Sequence, residues 1–481
     1  MNFVKQLLKP LCIIAALVAV LAYSCNNREW NDDPNFELKF SSDTIFFDTI
    51  FTSIGTCTYN IKMYNTSNKP VNIKQIILKN GEASPFRINV DGVSGTTFND
   101  VEIYANDSLF LFAKATIDPN NTSTPFICED DILFFVNNSK QNVKLLAWGQ
   151  NAHFYNDSTI KGNITLTNDK PHVIYKKLIF DTLSEINIEE GTQLCFHNDA
   201  ALIVKSGAKI LTHGTLENPV VFRGDKYAAN KPDIDIVPGQ WTGIFMENSH
   251  SNVFTYTEIR NAKVGLYIDS CDNSQTAITL HNCLISNNVS YGLRSVNANV
   301  IAANTEFSNS GGYLLSVEGA STLDFRHCTF ANYFRFGSRK SSSILLANTY
   351  YDTNFNVIAA PINNALFGNC IVYGSKTEEI NIRKDDNNNF NVIFENCLIR
   401  TETSETHQTL YNNCVFNEEP KFIDVNESNF LLDSLSAAIN IGNAEIIFTS
   451  PLNIEYDRLG IKRELQIDAG CYSYNKTERG L

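Results

Sequence analysis

The stretch LHNCLI, residues 280–285, contains a phrase that returns along the second half of the chain. Each copy has six positions. The first and last are apolar, the third is usually Asn, the fourth is Cys or Thr, and the second and fifth vary. The Cys or Thr of one copy follows that of the copy before it by 17 to 27 residues. Such a period indicates a solenoid, whose units bury their apolar faces against their neighbours. The repeated positions are Thr257, Cys283, Thr305, Cys328, Thr349, Cys370, Cys397 and Cys414.

The order of residues within the phrase favours a β-solenoid. Because side chains alternate along a strand, Cys283 and Ile285 can face the same way, whereas Leu280 lies at an odd offset from Cys283. All three can face inward only if the chain bends at Asn282, and Asn tolerates the left-handed conformation of a sharp corner. Helical repeats are longer and need apolar spacings of three and four residues. We therefore predict a parallel β-helix over residues 151–425, with one ladder of Asn side chains and one of buried Cys and Thr.

Length, composition and charge limit the class of protein. A chain of 481 residues has room for more than one domain, and 43% hydrophobic residues indicate a globular protein. The formal charge of −14 argues against nucleic acid and anionic lipid as main partners. The repeat cysteines are predicted to be small buried hydrophobic residues, although a bridge between adjacent coils, such as Cys370 with Cys397, is geometrically conceivable.

The N-terminus, residues 1–24, is predicted to be a targeting segment. Lys5 and Lys9 precede the apolar run LCIIAALVAVLA, which has the length of a signal-peptide core and is short for a membrane span. The ending LAYSC resembles a bacterial lipoprotein signal, which implies that Cys25 becomes the acylated first residue; Tyr23 departs from the tightest form of that motif. An ordinary secreted protein and an uncleaved anchor are the alternatives. Residues 25–35 form an acidic tether that resembles the surface-export signals of Bacteroidota lipoproteins, which implies lipid anchoring in the outer membrane, at the cell surface.

Residues 36–150 have a different sequence pattern. Short alternating runs such as VNIKQIILKN and LFLFAKATI are separated by turns such as NGEASP, which predicts an antiparallel sandwich of seven or eight strands. With the runs FFDTIFTSIGT and FRINVDG, this region resembles the Ig-like N-terminal domains of Bacteroidota surface lipoproteins. The sequence therefore predicts an all-β chain, an Ig-like β-sandwich followed by the β-helix.

Two further regions carry resemblances. GTLENPVVF at residues 214–222 and GQWTGIFM at residues 239–246 resemble the opening coils of right-handed parallel β-helix proteins of the pectate-lyase type. Residues 426–481, with Ser436, Asp457 and Asp468 among the matching positions, resemble the segment that closes many bacterial surface β-helices. A solenoid end needs a cap that hides its unpaired edge, so we expect this segment to be a C-terminal cap.

The β-helix fold includes polysaccharide lyases and glycoside hydrolases, which act in a groove on one long sheet. Hydrolases need paired carboxylates, and lyases need a base with a cationic group. Strand alternation places several charged and aromatic side chains outward, and we expect them to share one face. These candidate groove residues are Glu258, Arg260, Tyr267, Asp269 and Arg294.

Metal ligation has weak support in the sequence. Asp225, Asp233 and Asp235 in the insertion after β-helix entry are possible calcium ligands, because calcium prefers clustered oxygens. A plain solvated loop is the favoured interpretation, so no metal and no cofactor is expected. No Cys or His motif with zinc spacing occurs.

The leading interpretation is a lipid-anchored cell-envelope protein that acts as a non-catalytic binding or structural module for a glycan or a protein partner. The alternatives are a polysaccharide lyase or glycoside hydrolase, and an accessory subunit of an outer-membrane complex. An enzyme needs convergent carboxylates in a groove, whereas a glycan binder needs aromatic side chains such as Tyr267, Tyr291 or Tyr313 along one face. A complex subunit needs a broad exposed apolar patch.

Overall fold

Strands account for most of the chain in the computed structural model, with 54% strand and 3% helix. The all-β prediction is thus confirmed. The structure describes residues 29–52, 58–119, 126–225, 237–269, 274–352, 354–402, 404, 408–464 and 466–474. Within these ranges no helix is long and apolar enough to cross a membrane. The chain divides into two compact units, Met1–Asn151 and Ala152–Leu481.

The described part of the first unit holds ten strands in two five-stranded sheets, with a short 3-10 helix at Gly81–Ala83. One sheet has the order β1-β3-β8-β5-β6 and the other the order β2-β10-β9-β4-β7. The strands are β1 (Lys39–Phe40), β2 (Thr44–Phe51), β3 (Tyr59–Tyr64), β4 (Val71–Leu78), β5 (Phe86–Val90), β6 (Val93–Gly95), β7 (Thr97–Ile103), β8 (Ser108–Ala115), β9 (Phe126–Val136) and β10 (Ser139–Gln150).

The two sheets of the first unit share one apolar core. Phe47 of β2 and Phe86 of β5 belong to different sheets, and their ring centroids lie 5.3 Å apart. Along β10, Val143, Leu145 and Ala147 alternate into this core. The described pairings are antiparallel, as predicted, except that β2 pairs with β10 in parallel. These two strands are far apart in sequence, so no hairpin forces them to run in opposite directions.

The second unit is built from three long parallel sheets, which we call sheets A, B and C. Sheet A contains β12 (Asn163–Leu166), β14 (Glu185–Ile188), β17 (Lys209–Thr212), β20 (Asn252–Thr255), β23 (Thr276–His281), β26 (Asn299–Ala303), β29 (Ala320–Arg326), β34 (Ile362–Gly368), β37 (Phe390–Glu395) and β39 (Tyr411–Asn412). Sheet B contains β15 (Gln193–Phe196), β18 (Val220–Gly224), β21 (Thr257–Arg260), β24 (Leu284–Asn288), β27 (Glu306–Ser310), β30 (Thr329–Asn332), β35 (Ile371–Gly374), β38 (Leu398–Ile399) and β40 (Val415–Phe416). Sheet C contains β16 (Ala201–Val204), β19 (Trp241–Glu247), β22 (Ala262–Asp269), β25 (Tyr291–Val296), β28 (Tyr313–Glu318), β31 (Ile344–Ala347) and β36 (Ile380–Arg383).

A few elements lie outside this regular pattern. Two long strands at the start, β11 (His153–Ile160) and β13 (His172–Phe180), pair with each other, and β13 continues into both sheets B and C. Two antiparallel hairpins are formed by β32 (Thr349–Tyr351) with β33 (Val357–Ala359) and by β41 (Phe422–Asp424) with β42 (Asn429–Leu432). The helical turns are a 3-10 helix at Gln408–Leu410 and the short helix α1 (Ala444–Phe448).

Successive coils place equivalent strands beside one another. For example β23 pairs in parallel with β26, β24 with β27 and β25 with β28. This arrangement is consistent with a β-helix, and we call this unit the coil unit. Its interior holds in-line stacks of like side chains, because parallel pairing puts equivalent positions above each other. The ring centroids of Phe325 and Phe367 lie 5.0 Å apart, and those of Phe367 and Phe394 4.5 Å apart.

The corners between sheets A and B are formed by the predicted asparagines. Asn282 has φ +58°, in the left-handed region, and corresponding residues in other coils have similar values. The prediction that the chain bends at the recurring Asn is therefore confirmed. The residues at this corner with positive φ are Tyr256, Asn282, Asn304, His327, Asn369, Asn396 and Asn413.

The Cys and Thr that follow these corners are buried, as predicted, except Cys414, which is half-buried. The Cys283 thiol lies 3.3 Å from the carbonyl oxygen of Phe254 in the preceding coil and 3.5 Å from that of His281. Cys397 makes the same pair of contacts with Phe367 and Glu395, at 3.1 and 3.3 Å. These cysteines are free thiols, so Cys370 and Cys397 are not bridged. The thiols therefore act as weak donors to backbone carbonyls as well as small apolar groups.

Thr349 does not belong to this ladder, although the sequence predicts it there. It lies in the β32–β33 hairpin, and the strand before it, β31, pairs with β28 in sheet C. The Asn348 amide donates to the carbonyl oxygens of Asp385 and Asn388 at 2.8 and 3.1 Å and thus fastens a loop. Cys328 and Cys370 are therefore one coil apart, and the residues between them include insertions.

The C-terminal segment runs along the side of the coils, whereas we expected an end cap. The Asn369 side chain and the backbone of Asn443 exchange two hydrogen bonds, of 2.9 and 2.8 Å. The Asn304 amide donates to the carbonyl oxygen of Tyr456 at 2.7 Å. We call residues 440–464 and 466–474 the lateral strap. The strap thus accepts hydrogen bonds from the Asn304 and Asn369 side chains, and Asn369 also contacts the neighbouring corner residue His327 at 2.9 Å, where the repeat predicts a ladder of Asn side chains.

Candidate functional site

The five predicted groove residues lie on two different sheets. Glu258 and Arg260 belong to β21 in sheet B, whereas Tyr267 and Asp269 belong to β22, and Arg294 to β25, in sheet C. The expectation of one shared face is wrong because the chain turns at Asn261, which has φ +63°. The residues therefore mark two separate surfaces.

The outer face of sheet C carries a row of aromatic side chains. Parallel pairing aligns Phe245 with Tyr267 and Tyr291 with Tyr313, with ring centroids 5.9 and 6.3 Å apart. The Arg294 guanidinium lies 5.2 Å from the centre of the Tyr267 ring and 5.7 Å from that of Tyr291. All five side chains are half-buried. We call this set the aromatic row.

Charged groups fix the position of Arg294. Arg294 and Arg383 both contact the largely buried carboxylate of Glu318, at 3.0 and 3.2 Å. Asp269 lies in the same line of aligned residues as Glu318, two coils away. Burial, together with the nearby charge of Asp269, raises the pKa of Tyr267, so its hydroxyl remains a hydrogen-bond donor at neutral pH. The row thus combines fixed rings, a guanidinium and hydroxyl groups.

A cleft of about 670 Å³ lies on the outer face of sheet B. Its floor is formed by β21, β24 and β27, and its walls by the insertion at residues 333–336, the turn of the β41–β42 hairpin and the lateral strap. We call it the sheet B cleft. It is lined by Arg260, Asn261, Leu284, Ser286, Asn287, Glu306, Ser308, Asn309, Tyr333, Phe334, Arg335, Phe336, Val425, Glu427, Ser428 and Tyr472.

A chain of hydrogen bonds organises one wall of the sheet B cleft. The Tyr472 hydroxyl and the Ser308 hydroxyl donate to the two oxygens of Glu306, each at 2.6 Å. Arg458 donates to the Tyr472 hydroxyl at 3.0 Å and contacts Glu258 at 3.5 Å. Burial and the adjacent Glu306 raise the pKa of Tyr472 well above its usual range, so the phenol stays protonated. The Glu306 carboxylate is therefore held in one orientation.

The calcium hypothesis gains nothing from the described residues. Asp225 contacts the His197 ring nitrogen Nδ1 at 2.6 Å. Asp233 and Asp235 lie outside the described residues, as does Cys25. Where the structure describes the chain, no group of three or more His, Cys, Asp or Glu side chains could hold a metal ion.

The sheet B cleft could be found only in part from the sequence. The sequence points to Arg260 but not to the pair Glu306 and Tyr472, because these two residues are 166 positions apart. The stretch YFRFGSRK, residues 333–340, interrupts the repeat with three aromatic side chains, and this was the available signal. The lateral strap supplies another wall with Tyr472, and no local sequence pattern shows that this segment packs against sheet B.

Comparisons with known proteins identify no family. No family model matches the chain, and no curated protein matches it. Among solved structures, the chain is similar to a family 123 glycoside hydrolase from Clostridium perfringens that was studied for glycolipid glycan hydrolysis. That similarity has a TM-score of 0.18 and 12% identity, and it covers 25% of this chain and 30% of that chain. A likeness at this level carries no argument about function.

Proposed function

We propose that this protein is a lipid-anchored protein of the outer membrane that holds a polysaccharide on the aromatic row without cleaving it. In this proposal Cys25 carries the lipid and residues 25–35 form a tether. The first unit is an Ig-like spacer, and the coil unit is a right-handed parallel β-helix that presents the ligand surface at the cell surface.

The aromatic row is the observation that carries the proposal. Aromatic side chains offer large, stiff apolar faces, and Tyr adds a hydroxyl for hydrogen bonding. Tyr291 and Tyr313 are in register on neighbouring strands, about 4.8 Å apart, and Arg294, which is aligned with Tyr267, contacts both the Tyr267 and the Tyr291 ring. Such a strip suits the repeated rings and hydroxyl groups of a polysaccharide chain.

Charge supports a glycan over a nucleic acid. The formal charge of the chain is −14, which opposes a polyanionic backbone. Arg294 in the aromatic row is already paired with Glu318 at 3.0 Å, so the row offers little free positive charge.

Affinity electrophoresis tests the proposal. The full-length protein would be run in native gels that contain soluble starch, xylan, galactomannan or polygalacturonate. We expect retardation by at least one polymer and its loss in the double variant Tyr291→Ala, Tyr313→Ala. Phe110→Ala, which removes an exposed aromatic ring from the first unit, is the matched control. Unretarded migration in every polymer, or equal loss in the control, would contradict the proposal.

A glycoside hydrolase is the second candidate, and one observation favours it. Glu306 and Glu427 both line the sheet B cleft, and paired carboxylates are the usual catalytic groups of such enzymes. Both oxygens of Glu306 already accept hydrogen bonds within the protein, however, one from Tyr472 and one from Ser308, so this carboxylate serves to hold the wall of the cleft. We therefore favour binding.

A further inference from the structure

We infer that the sheet B cleft is a second binding site, separate from the aromatic row, that takes a short neutral oligosaccharide. This inference rests on the proposed polysaccharide function. It assigns to sheet B a ligand of the same chemical class but of limited length, since the cleft is walled whereas the row is open.

The shape of the cleft limits the ligand. A volume of about 670 Å³ lies within the range of small-molecule sites, about 300–1,000 Å³. The insertion bearing Phe334 and Phe336 forms one wall, and Tyr472 of the lateral strap lies in another. A ligand of a few sugar rings fits this space, whereas the walls would obstruct a long polysaccharide chain.

The lining favours hydroxyl-rich ligands without net charge. Two arginines and two glutamates line the cleft, so their formal charges cancel. Each arginine also has a partner, because Arg260 contacts Glu258 at 2.7 Å and Arg335 donates to the carbonyl oxygen of Asn426 at 2.5 Å. The charge of Arg260 is thus paired with a carboxylate, and that of Arg335 is balanced by the glutamates of the lining, so the cleft has no excess of positive charge for a carboxylated sugar. The remaining polar lining is hydroxyl and amide, which both donates and accepts hydrogen bonds. It consists of Asn261, Ser286, Asn287, Ser308, Asn309 and Ser428.

Two features prepare the cleft for sugar rings. The Glu306 carboxylate is held by Tyr472 and Ser308, and its other lone pairs can accept hydrogen bonds from sugar hydroxyl groups. Phe336 is 42% exposed, with its ring centroid 6.0 Å from that of Phe334, and so offers an apolar edge at the rim. Pre-oriented acceptors reduce the entropic cost of binding.

A glycan array tests the inference with the full-length protein. The array carries short neutral gluco-, manno-, galacto- and xylo-oligosaccharides, with oligogalacturonides as the acidic counterpart. We expect binding to a neutral oligosaccharide. Ser286→Tyr, which fills the cleft from its half-buried floor, should weaken that binding by at least about tenfold. Phe336→Ala should weaken it as well, and it changes an exposed side chain, so the fold should tolerate it.

Two controls separate this inference from the proposed function. Thr279→Tyr places the same new ring on the outer face of sheet A. We expect this variant to bind the oligosaccharide as strongly as the unchanged protein does. The Tyr291→Ala, Tyr313→Ala variant should lose retardation by polysaccharide but keep oligosaccharide binding. Polymer retardation without neutral oligosaccharide binding would overturn the inference alone, and absence of both would overturn the two proposals together. Binding to acidic oligosaccharides only, or undiminished binding by Ser286→Tyr, would also overturn the inference.

Discussion

Single residues decide where the coils turn. Asn282 bends the chain and Cys283 fills the interior behind it, and both roles follow from the odd spacing to Leu280 in the sequence. This spacing does not show which groups the corner side chains bond to. A repeat shows which positions are equivalent but not which segment later covers them. Asn304 and Asn369 therefore bond to the lateral strap, which the repeat cannot reveal.

The Cys ladder gives a first prediction at this scale. Burial raises the pKa of Cys283 to about 12, so its thiol stays protonated at neutral pH. It can therefore donate a hydrogen bond to a backbone carbonyl. Thr takes the same position in other coils, where Thr305 donates to the carbonyl oxygen of Ala303 at 3.0 Å. We expect Cys283→Thr to be more stable than the isosteric Cys283→Val by about 1 kcal/mol, because Val cannot donate. Thermal unfolding measures the difference, and a Val variant as stable as the Thr variant would count against the ladder.

His327 gives a pH-dependent prediction. It is buried at a corner between Asn369 and the Gly470 carbonyl, and burial, with nearby Arg463, lowers its pKa well below 6.5. The folded protein therefore holds His327 neutral, while the unfolded chain binds a proton below about pH 6.5. The stability that depends on neutral His327 is thus complete above this pH and is lost as the pH falls below it.

The matched variant is His327→Asn, because Asn holds this corner in most coils. We expect its melting temperature to fall less between pH 7.5 and pH 5 than that of the unchanged protein. Other histidines whose pKa is lowered, the buried His172 and the half-buried His281, contribute equally to both proteins and cancel in the comparison. Parallel pH profiles would show that His327 does not hold a lowered pKa.

Elements were predicted well where they repeat and poorly where they do not. The strand–corner–strand unit follows from the spacing of Leu280, Cys283 and Ile285 alone. Thr349 matches the same phrase, yet the phrase cannot show that Asn348 fastens a loop and that the next strand forms a hairpin. The course of the lateral strap does not follow from the sequence for a related reason, since it bonds to residues at or beside the corners that lie 45 to 172 positions away.

The lateral strap gives a prediction at the scale of elements. Asn369→Gly keeps the left-handed corner, where φ is +53°, but removes both hydrogen bonds to Asn443. Asn413→Gly is the matched control, since its corner has φ +51° and its side chain is exposed. Hydrogen exchange measured by mass spectrometry should become faster in peptides from residues 440–474 in the Asn369 variant only. Equal exchange in both variants would indicate that the corner amides do not hold the strap.

At the scale of the whole molecule, the proposed lipid anchor is the feature that would determine where the coil unit acts. The resemblance of LAYSC to a lipoprotein signal implies that Cys25 carries lipid, and acyl chains buried in the bilayer hold a protein at the membrane. We expect Cys25→Ala to move the protein from the membrane fraction to the soluble fraction of cells. Cys128→Ala, which changes a free thiol of the first unit, is the control. Unchanged membrane retention of the Cys25 variant would refute the lipid anchor.

Binding without cleavage is the central claim about the whole molecule, and the length of a bound polysaccharide tests it most directly. The polymer that retards the protein in native gels would be incubated with it and then analysed by size-exclusion chromatography, together with assays for new reducing ends and unsaturated uronates. The account predicts an unchanged polymer length and no new ends. A shortened polymer whose cleavage is abolished by Glu306→Gln would contradict it and identify a glycoside hydrolase or lyase.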